Sequence, residues 1–220
     1  GGERTGTLDE SVRHSISKLA HLHFVANNES KIRLIKMGER SNRIFNVGCP
    51  RIDTVRKALK SYTRKNLLKT INKVGVGDKV KVNEDIIVLS QHPVTSEFEA
   101  STKNYEKTVN AILKLKNNNI KIVWLWPNSD AGSDEISGFI RKFREKKLKT
   151  NIRFITNISP DKYFQLLNES VCIVGNSSSA IREGAFIGVP AVNIGTRQKT
   201  RIRGKNVIDV NYDEAEIYRA

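Results

Sequence analysis

The sequence predicts an α/β fold built on a parallel sheet, and two observations lead to this prediction. From about residue 85 to residue 210, short apolar runs alternate with longer amphipathic segments, as strands and helices do in a parallel sheet covered on both faces. Cap and turn residues separate these runs, and Ser159-Pro160 places a helix cap before a proline suited to the first helical position. With 38% hydrophobic residues among 220, the chain can bury a core.

The same patterns predict the individual elements. The predicted strands of the sheet are residues 86–89, 120–125, 152–155, 171–174, 191–194 and 207–210. The helices predicted beside them cover residues 97–115 and 135–147, the segment opened by Ser159-Pro160, and the segment that follows the strand 171–174 and runs through Phe186. Residues 51–73 are predicted to be helical and strongly basic.

Residues 1–48 are interpreted as the tail of another α/β domain. A capping box at Thr7-Leu8-Asp9-Glu10 predicts a helix to about Ala20. A strand over 23–26, a helix over 29–37 and a strand over 43–47 follow. We therefore expect three parts: residues 1–48 as this tail, 49–84 as a helical crossover, and 85–220 as a C-terminal Rossmann-like domain. Because the chain opens on Gly-Gly-Glu, we expect its natural beginning to be missing.

Composition argues against several classes of function. No apolar run is long enough to cross a bilayer, so no membrane span is predicted. Cys49 and Cys172 form no CxxC motif and are typical of free thiols in a reducing compartment such as the cytoplasm. The four histidines form no metal-ligand pattern. The net charge of +15 invites a nucleic-acid interpretation, but no basic-aromatic or recognition-helix motif accompanies it. An anionic small ligand together with a lysine-rich surface explains the charge equally well.

Polar loops follow the predicted strands and should meet at one edge of the sheet, where ligands bind in such folds. These loops are residues 91–95, 127–133, 176–179 and 195–199. Serines at a helix start, as at Ser177 and Ser178, suit a phosphate, and Glu183 would then lie within reach of a ribose diol. The alternative is that the serines only cap the helix.

Four further residues admit both a functional and a structural interpretation. His92 suits a diphosphate contact or proton transfer, or else a loop hydrogen bond. Asn128 is expected in a turn in any case, and Arg197 suits a phosphate or a solvated loop. Asp9 stabilises its helix dipole in the usual interpretation, whereas a catalytic carboxylate could occupy the same place.

Five motifs together resemble those of the UDP-N-acetylglucosamine 2-epimerase family, in particular its hydrolysing branch, which feeds sialic and related nonulosonic acid synthesis. They cover residues 1–14, 91–95, 127–133, 175–179 and 195–198. The resemblance implies two Rossmann-like domains in a GT-B-like arrangement with the active site between them. It also implies a UDP-sugar substrate, no cofactor and no metal, and a homo-oligomer. The implied catalytic residues are Asp9 and His92, and the implied UDP-binding residues are Asn128, Ile158, Ser177, Ser178, Glu183 and Arg197.

In that family a base removes the proton at C2 of the sugar while UDP leaves C1, and water then adds to the glycal. The implied products are N-acetylmannosamine and UDP. A non-hydrolysing 2-epimerase, a glycosyltransferase of the same architecture and a basic binding module remain as alternatives. Because the upstream catalytic groups of the family have no counterpart here, we expect these 220 residues to bind UDP weakly and to turn over little.

Overall fold

The computed structural model describes residues 2–3, 8–94, 97, 100–115, 119–128, 132–146 and 151–220, without the side chains of residues 8 and 9. The strands are β1 (His23–Val25), β2 (Ile44–Asn46), β3 (Val76–Gly77), β4 (Asp85–Ser90), β5 (Ile120–Leu125), β6 (Ile152–Ile155), β7 (Ser170–Gly175), β8 (Ala191–Ile194) and β9 (Val207–Val210). The helices are α1 (Leu8–Leu19), α2 (Asn28–Lys36), α3 (Pro50–Lys60), α4 (Arg64–Val74), α5 (Ser101–Leu113), α6 (Ser133–Glu145), α7 (Pro160–Glu169), α8 (Ser178–Ile181), α9 (Glu183–Ile187) and α10 (Glu214–Arg219).

The predicted α/β fold is confirmed. A seven-stranded sheet has the order β3-β6-β5-β4-β7-β8-β9, in which β4 to β9 are parallel and β3 pairs antiparallel at one edge. The strand order reverses at β4, which lies between β5 and β7. Such a reversal point opens a crevice beyond the carboxyl ends of the strands, and this is where ligands bind in open α/β sheets.

The two faces of the sheet are buried in separate clusters, as period-2 alternation requires. On β4, Ile87 and Leu89 join one cluster with α5 and α6, whereas Ile86 and Val88 join the other with α4 and α7. In the first cluster, the buried Trp124 donates its indole N–H to the Tyr105 hydroxyl at 2.7 Å. Both faces are therefore covered, and the polar groups of the aromatic core are paired.

Residues 1–48 contain a small α/β unit of their own. β1 and β2 pair in parallel, and Val25, Leu34 and Ile44 form a buried cluster beneath α2. The chain then enters α3 at Pro50, a residue whose missing N–H is tolerated at a helix start. The predicted capping box of α1 lies partly outside the described residues.

Two predicted helical segments differ from the structure, and one strand is additional to the predicted ones. Residues 51–73 form two helices rather than one helical stretch, because Thr63 caps α4 by accepting a hydrogen bond from the Asn66 backbone N–H at 3.4 Å. The helix predicted through Phe186 is divided into α8 and α9 at Arg182. Strand β3 was not predicted, since two residues are too few to show a period.

A close approach of two strand ends makes Gly175 a structural requirement. It has a φ of +134°, and a Cβ built on it would lie 2.1 Å from the Ser90 carbonyl oxygen. The positive φ favours glycine. Because the atoms nearest to the added Cβ belong to the backbone, no flexible side chain can move aside to make room for it. β7 can therefore end beside β4 only with glycine at this position.

We expect Gly175→Ala to lower the free energy of unfolding by about 2–4 kcal/mol, because of the clash and the positive φ. Gly138→Ala in α6 is the matched control, since a Cβ there meets nothing within 4 Å. It should raise stability by roughly 0.5–1 kcal/mol. Urea unfolding followed by circular dichroism measures both changes. A Gly175→Ala midpoint equal to that of the parent would contradict the close approach.

Candidate functional site

The candidate site lies where β4, β7 and β8 end side by side. The loops after these strands bring His92, Asn176 and Arg197 to one edge of the sheet. These residues lie far apart in the chain, so the parallel order of the sheet is what assembles them.

Asn176 joins the three loops. Its side chain is fully buried and pairs with His92 like a neighbouring strand, because Oδ1 accepts from the His92 backbone N–H at 2.7 Å and Nδ2 donates to its carbonyl at 2.8 Å. The Asn176 carbonyl accepts from Gln198 Nε2 at 2.9 Å and Arg197 Nη1 at 3.4 Å. One buried amide thus positions both a histidine and an arginine.

The neighbours of the His92 ring select its tautomer. The backbone N–H of Asn128 donates to His92 Nδ1 at 3.1 Å. Because Nδ1 acts as the acceptor, the neutral ring carries its proton on Nε2. The neutral ring can therefore donate a hydrogen bond from Nε2 without taking up a second proton.

The serine turn follows β7 and starts a helix of one turn. Ser177 is the N-cap of α8, and its hydroxyl accepts from the Ser179 backbone N–H at 3.4 Å. The capping interpretation is confirmed for Ser177, which also lines a cleft, and the phosphate interpretation stays a prediction. A four-residue helix has little dipole of its own, so a ligand here would depend on hydroxyl and N–H groups rather than on a long helix.

Glu183 begins α9 and is 4% exposed. Its Oε1 accepts from Arg51 Nε at 2.9 Å. Its Oε2 is buried and has no hydrogen-bond partner among the described residues. Buried carboxylate oxygens are normally paired, so this acceptor suits a hydroxyl group brought by a ligand.

Seven residues predicted from the sequence line a single cleft of 440 Å³. They are His92, Asn128, Ile158, Ser177, Ser178, Glu183 and Arg197. A cleft of this size accommodates a nucleotide. The eighth predicted residue, Asp9, lies in α1, and its side chain is outside the described part of the chain.

The same cleft is also lined by residues that the sequence did not predict, among them Arg51, Tyr163 and Arg182. Burial raises the pKa of the Tyr163 phenol, although hydrogen bonds with Ser179 and Ser177 act in the opposite direction. Tyr163 therefore remains a neutral hydroxyl beside the serines. No motif singles it out, because a tyrosine within a helix usually indicates core packing.

A second cavity of 760 Å³ lies beside the cleft, and Arg51 and Arg182 line both. Within it, Glu3 forms ion pairs with Arg182, with Arg201 at 3.2 Å and with Arg13 at 3.5 Å. Burial alone would raise the pKa of Glu3, but the hydrogen bond from Arg182 and the three positive charges lower it overall. The cluster connects the N-terminal segment, residues 1–48, to the loops of the sheet.

Burial lowers the pKa of Arg201 to about 10, and the positive charges of Arg182, Arg13 and Arg197 add to that shift. The Glu3 carboxylate acts in the opposite direction but does not cancel it. Several guanidinium groups thus converge on a single carboxylate, and the region favours anions.

The described residues include neither a candidate metal site nor a candidate membrane span. No group of three or more His, Cys, Asp or Glu side chains there is arranged to hold a metal ion. None of the helices found there is long and apolar enough to cross a membrane.

We expect Asn176→Ala to lower the free energy of unfolding by about 2–4 kcal/mol, because it removes two hydrogen bonds to the buried backbone of His92 and leaves a cavity. Nitrogen NMR of the imidazole should show the Nε2–H tautomer in the parent and a tautomer mixture in the variant. Asn211→Ala, at an exposed position, should change stability by less than about 0.5 kcal/mol and leave the spectrum unaltered. An unchanged His92 spectrum in Asn176→Ala would contradict the positioning role.

Comparison with solved structures supports the fold. The structure of Methanocaldococcus jannaschii UDP-GlcNAc 2-epimerase in complex with UDP-GlcNAc and UDP superimposes with a TM-score of 0.73 at 16% identity. The match covers 100% of this chain and 59% of that one. At this identity the likeness concerns the fold alone.

Sequence comparison identifies nearer relatives. The chain is 38% identical over 213 residues to UDP-N,N'-diacetylbacillosamine 2-epimerase (hydrolyzing) of Legionella pneumophila, covering 96% of this chain and 52% of the relative. It is 35% identical over 222 residues to UDP-N-acetylglucosamine 2-epimerase of Neisseria meningitidis serogroup B, covering 100% and 54%. The chain thus spans about half the length of these curated relatives. All of residues 1–220 match the family described as UDP-N-acetylglucosamine 2-epimerase, and the chain belongs to that family.

Proposed function

We propose that this chain forms the nucleotide-binding part of a hydrolysing UDP-N-acetylglucosamine 2-epimerase, which converts UDP-N-acetylglucosamine to N-acetylmannosamine and UDP. The observation that carries the proposal is the buried Oε2 of Glu183, which has no hydrogen-bond partner among the described residues and lies in the same cleft as His92, the serine turn and Arg197. A nucleoside diphosphate has the complementary groups, namely ribose hydroxyls that donate and phosphates that accept.

Each part of the nucleotide has a matching group in the cleft. Glu183 would accept from the ribose hydroxyls, and Ile158 would line the uracil pocket. Ser177, Ser178 and Arg197 would hold the diphosphate with hydroxyl, N–H and guanidinium donors. Asn128 would remain a backbone donor to His92 while lining the cleft.

The reaction needs stabilisation of UDP as it leaves C1 and a base for the proton at C2. The Nε2–H of His92 and the guanidinium of Arg197 would stabilise the charge that develops on the leaving diphosphate. We propose Asp9 as a carboxylate that takes part in proton transfer on the sugar side, in keeping with the resemblance. Water addition to the glycal then releases N-acetylmannosamine.

The name of one relative bears on both the branch and the sugar. The Legionella relative carries the name of a hydrolysing enzyme, which supports hydrolysis over return of a UDP-sugar. The same name makes UDP-N,N'-diacetylbacillosamine the second candidate substrate. A cytoplasmic location and a homo-oligomeric assembly belong to the proposal through the family resemblance.

Isothermal titration with UDP tests the nucleotide site on the chain itself. We expect UDP to bind and Glu183→Gln to weaken it roughly tenfold, because the ribose loses a charged acceptor. Glu145→Gln is the control, since that exposed carboxylate does not line the cleft. Retention of parent affinity in Glu183→Gln would contradict the assignment of Glu183. If UDP does not bind but an oligonucleotide binds with a steep salt dependence, the basic binding module is correct instead.

Proton NMR in D₂O tests the reaction on a complete protein that contains this chain. With UDP-N-acetylglucosamine we expect UDP and N-acetylmannosamine deuterated at C2, because the C2 proton exchanges with solvent during elimination. The C2 proton signal of the substrate should disappear as UDP appears, and the free sugar should show no C2 proton signal. Return of a deuterated UDP-sugar would support the non-hydrolysing alternative. Turnover of UDP-N,N'-diacetylbacillosamine, and not of UDP-N-acetylglucosamine, in the same assay would assign the second candidate.

A further inference from the structure

Arg51 links the crossover segment to the nucleotide cleft. It follows Pro50 in the first turn of α3, and its Nε donates to Glu183 Oε1 at 2.9 Å, although the two residues are 132 positions apart. Its guanidinium carbon also lies 5.2 Å from the centre of the Phe164 ring. Two contacts, one ionic and one with an aromatic face, therefore fix the arginine head group.

The pair leaves one carboxylate oxygen for another donor. Arg51 occupies Oε1, while Oε2 stays buried with no partner among the described residues. A carboxylate held through one oxygen has a fixed orientation, and its second oxygen can then accept a ligand hydroxyl at little further cost in side-chain entropy.

We propose that Arg51 is a positioning residue that orients Glu183 to accept the ribose hydroxyls of the nucleotide. This inference rests on the proposed function of the cleft. Arg51 acts through Glu183 and takes no part in the chemistry. Arg51 belongs to the segment that connects residues 1–48 to the sheet, and it lines both the cleft and the second cavity. This segment therefore contributes a side chain directly to the proposed nucleotide site.

A positioning role and a purely structural role differ in the property that changes. The Arg51 side chain is 52% exposed and that of Glu183 is 6% exposed. Removal of Arg51 takes the ion pair away from the buried Glu183 carboxylate, so Arg51→Ala should lower the urea midpoint. A structural role alone would leave the UDP affinity of the folded protein unchanged, whereas a positioning role also weakens binding of a nucleotide that carries ribose hydroxyls.

Four variants test the inference by titration with UDP and with 2′,3′-dideoxy-UDP, which lacks the ribose hydroxyls. We expect Arg51→Ala to weaken UDP binding about three- to tenfold and leave the dideoxy analogue unchanged. Arg51→Lys should restore part of the affinity, because it keeps the charge but not the Nε geometry. When Glu183 is already replaced by Gln, adding Arg51→Ala should cause no further loss of UDP affinity.

Arg56→Ala is the matched control on the same helix. Arg56 also lies over a phenylalanine ring, Phe186 at 5.8 Å, but it does not line the cleft. Arg56→Ala should therefore leave UDP affinity unchanged.

Two classes of result overturn different statements. If the parent chain does not bind UDP, the proposed function of the cleft fails for this chain. If the parent binds UDP but Arg51→Ala binds it equally well, or loses both nucleotides in the same proportion, the positioning role of Arg51 is wrong. A fall in the urea midpoint of Arg51→Ala that alone accounts for the lost affinity would also overturn it.

Discussion

The hydrogen-bonded pair between the Asn176 amide and the His92 backbone is the interaction on which the candidate site depends. It imitates one rung of a parallel sheet after the strands themselves have ended. Gly175 makes the pair possible, because only a residue without Cβ lets β7 approach the Ser90 carbonyl. The Asn176 carbonyl then takes up Gln198 and Arg197 from the loop after β8. Without this buried amide, the histidine, the serine turn and the arginine would belong to three independent loops.

Part of the positive charge of the chain is concentrated around Glu3, beside the cleft. Arg13, Arg182 and Arg201 surround Glu3, and Arg197 is near enough to lower the pKa of Arg201 further. Such a concentration of guanidinium groups around one carboxylate leaves a net positive region next to the cleft. These few arginines would attract an anionic ligand to the cleft. The shared lining residues Arg51 and Arg182 make the two cavities one electrostatic environment.

Much of the fold followed from pattern alone, because buried parallel strands are continuous apolar runs. The predicted strand over 120–125 matches β5, and that over 191–194 matches β8. The break at Thr63 and the two-residue β3 were missed, since capping by one side chain and pairing at a sheet edge leave little periodic signal. Among the site residues, those in polar loops after strands were predictable, whereas Arg51 and Tyr163 lie on helices where their types are ordinary.

The sequence by itself determined the fold class, the family and the loops that carry polar groups, because local periodicity and motif spacing are written in neighbouring residues. It left open whether Ser177 only caps a helix, whether His92 only bonds a loop, and which arginines matter. Tertiary structure decided that Ser177 caps α8 and also lines the cleft, that Asn128 selects the His92 tautomer, and that Arg51 meets Glu183. The last two contacts join residues 36 and 132 positions apart, and only the packed sheet brings such groups within hydrogen-bond distance. The Ser177 cap is local, and only its place in the cleft depends on tertiary packing.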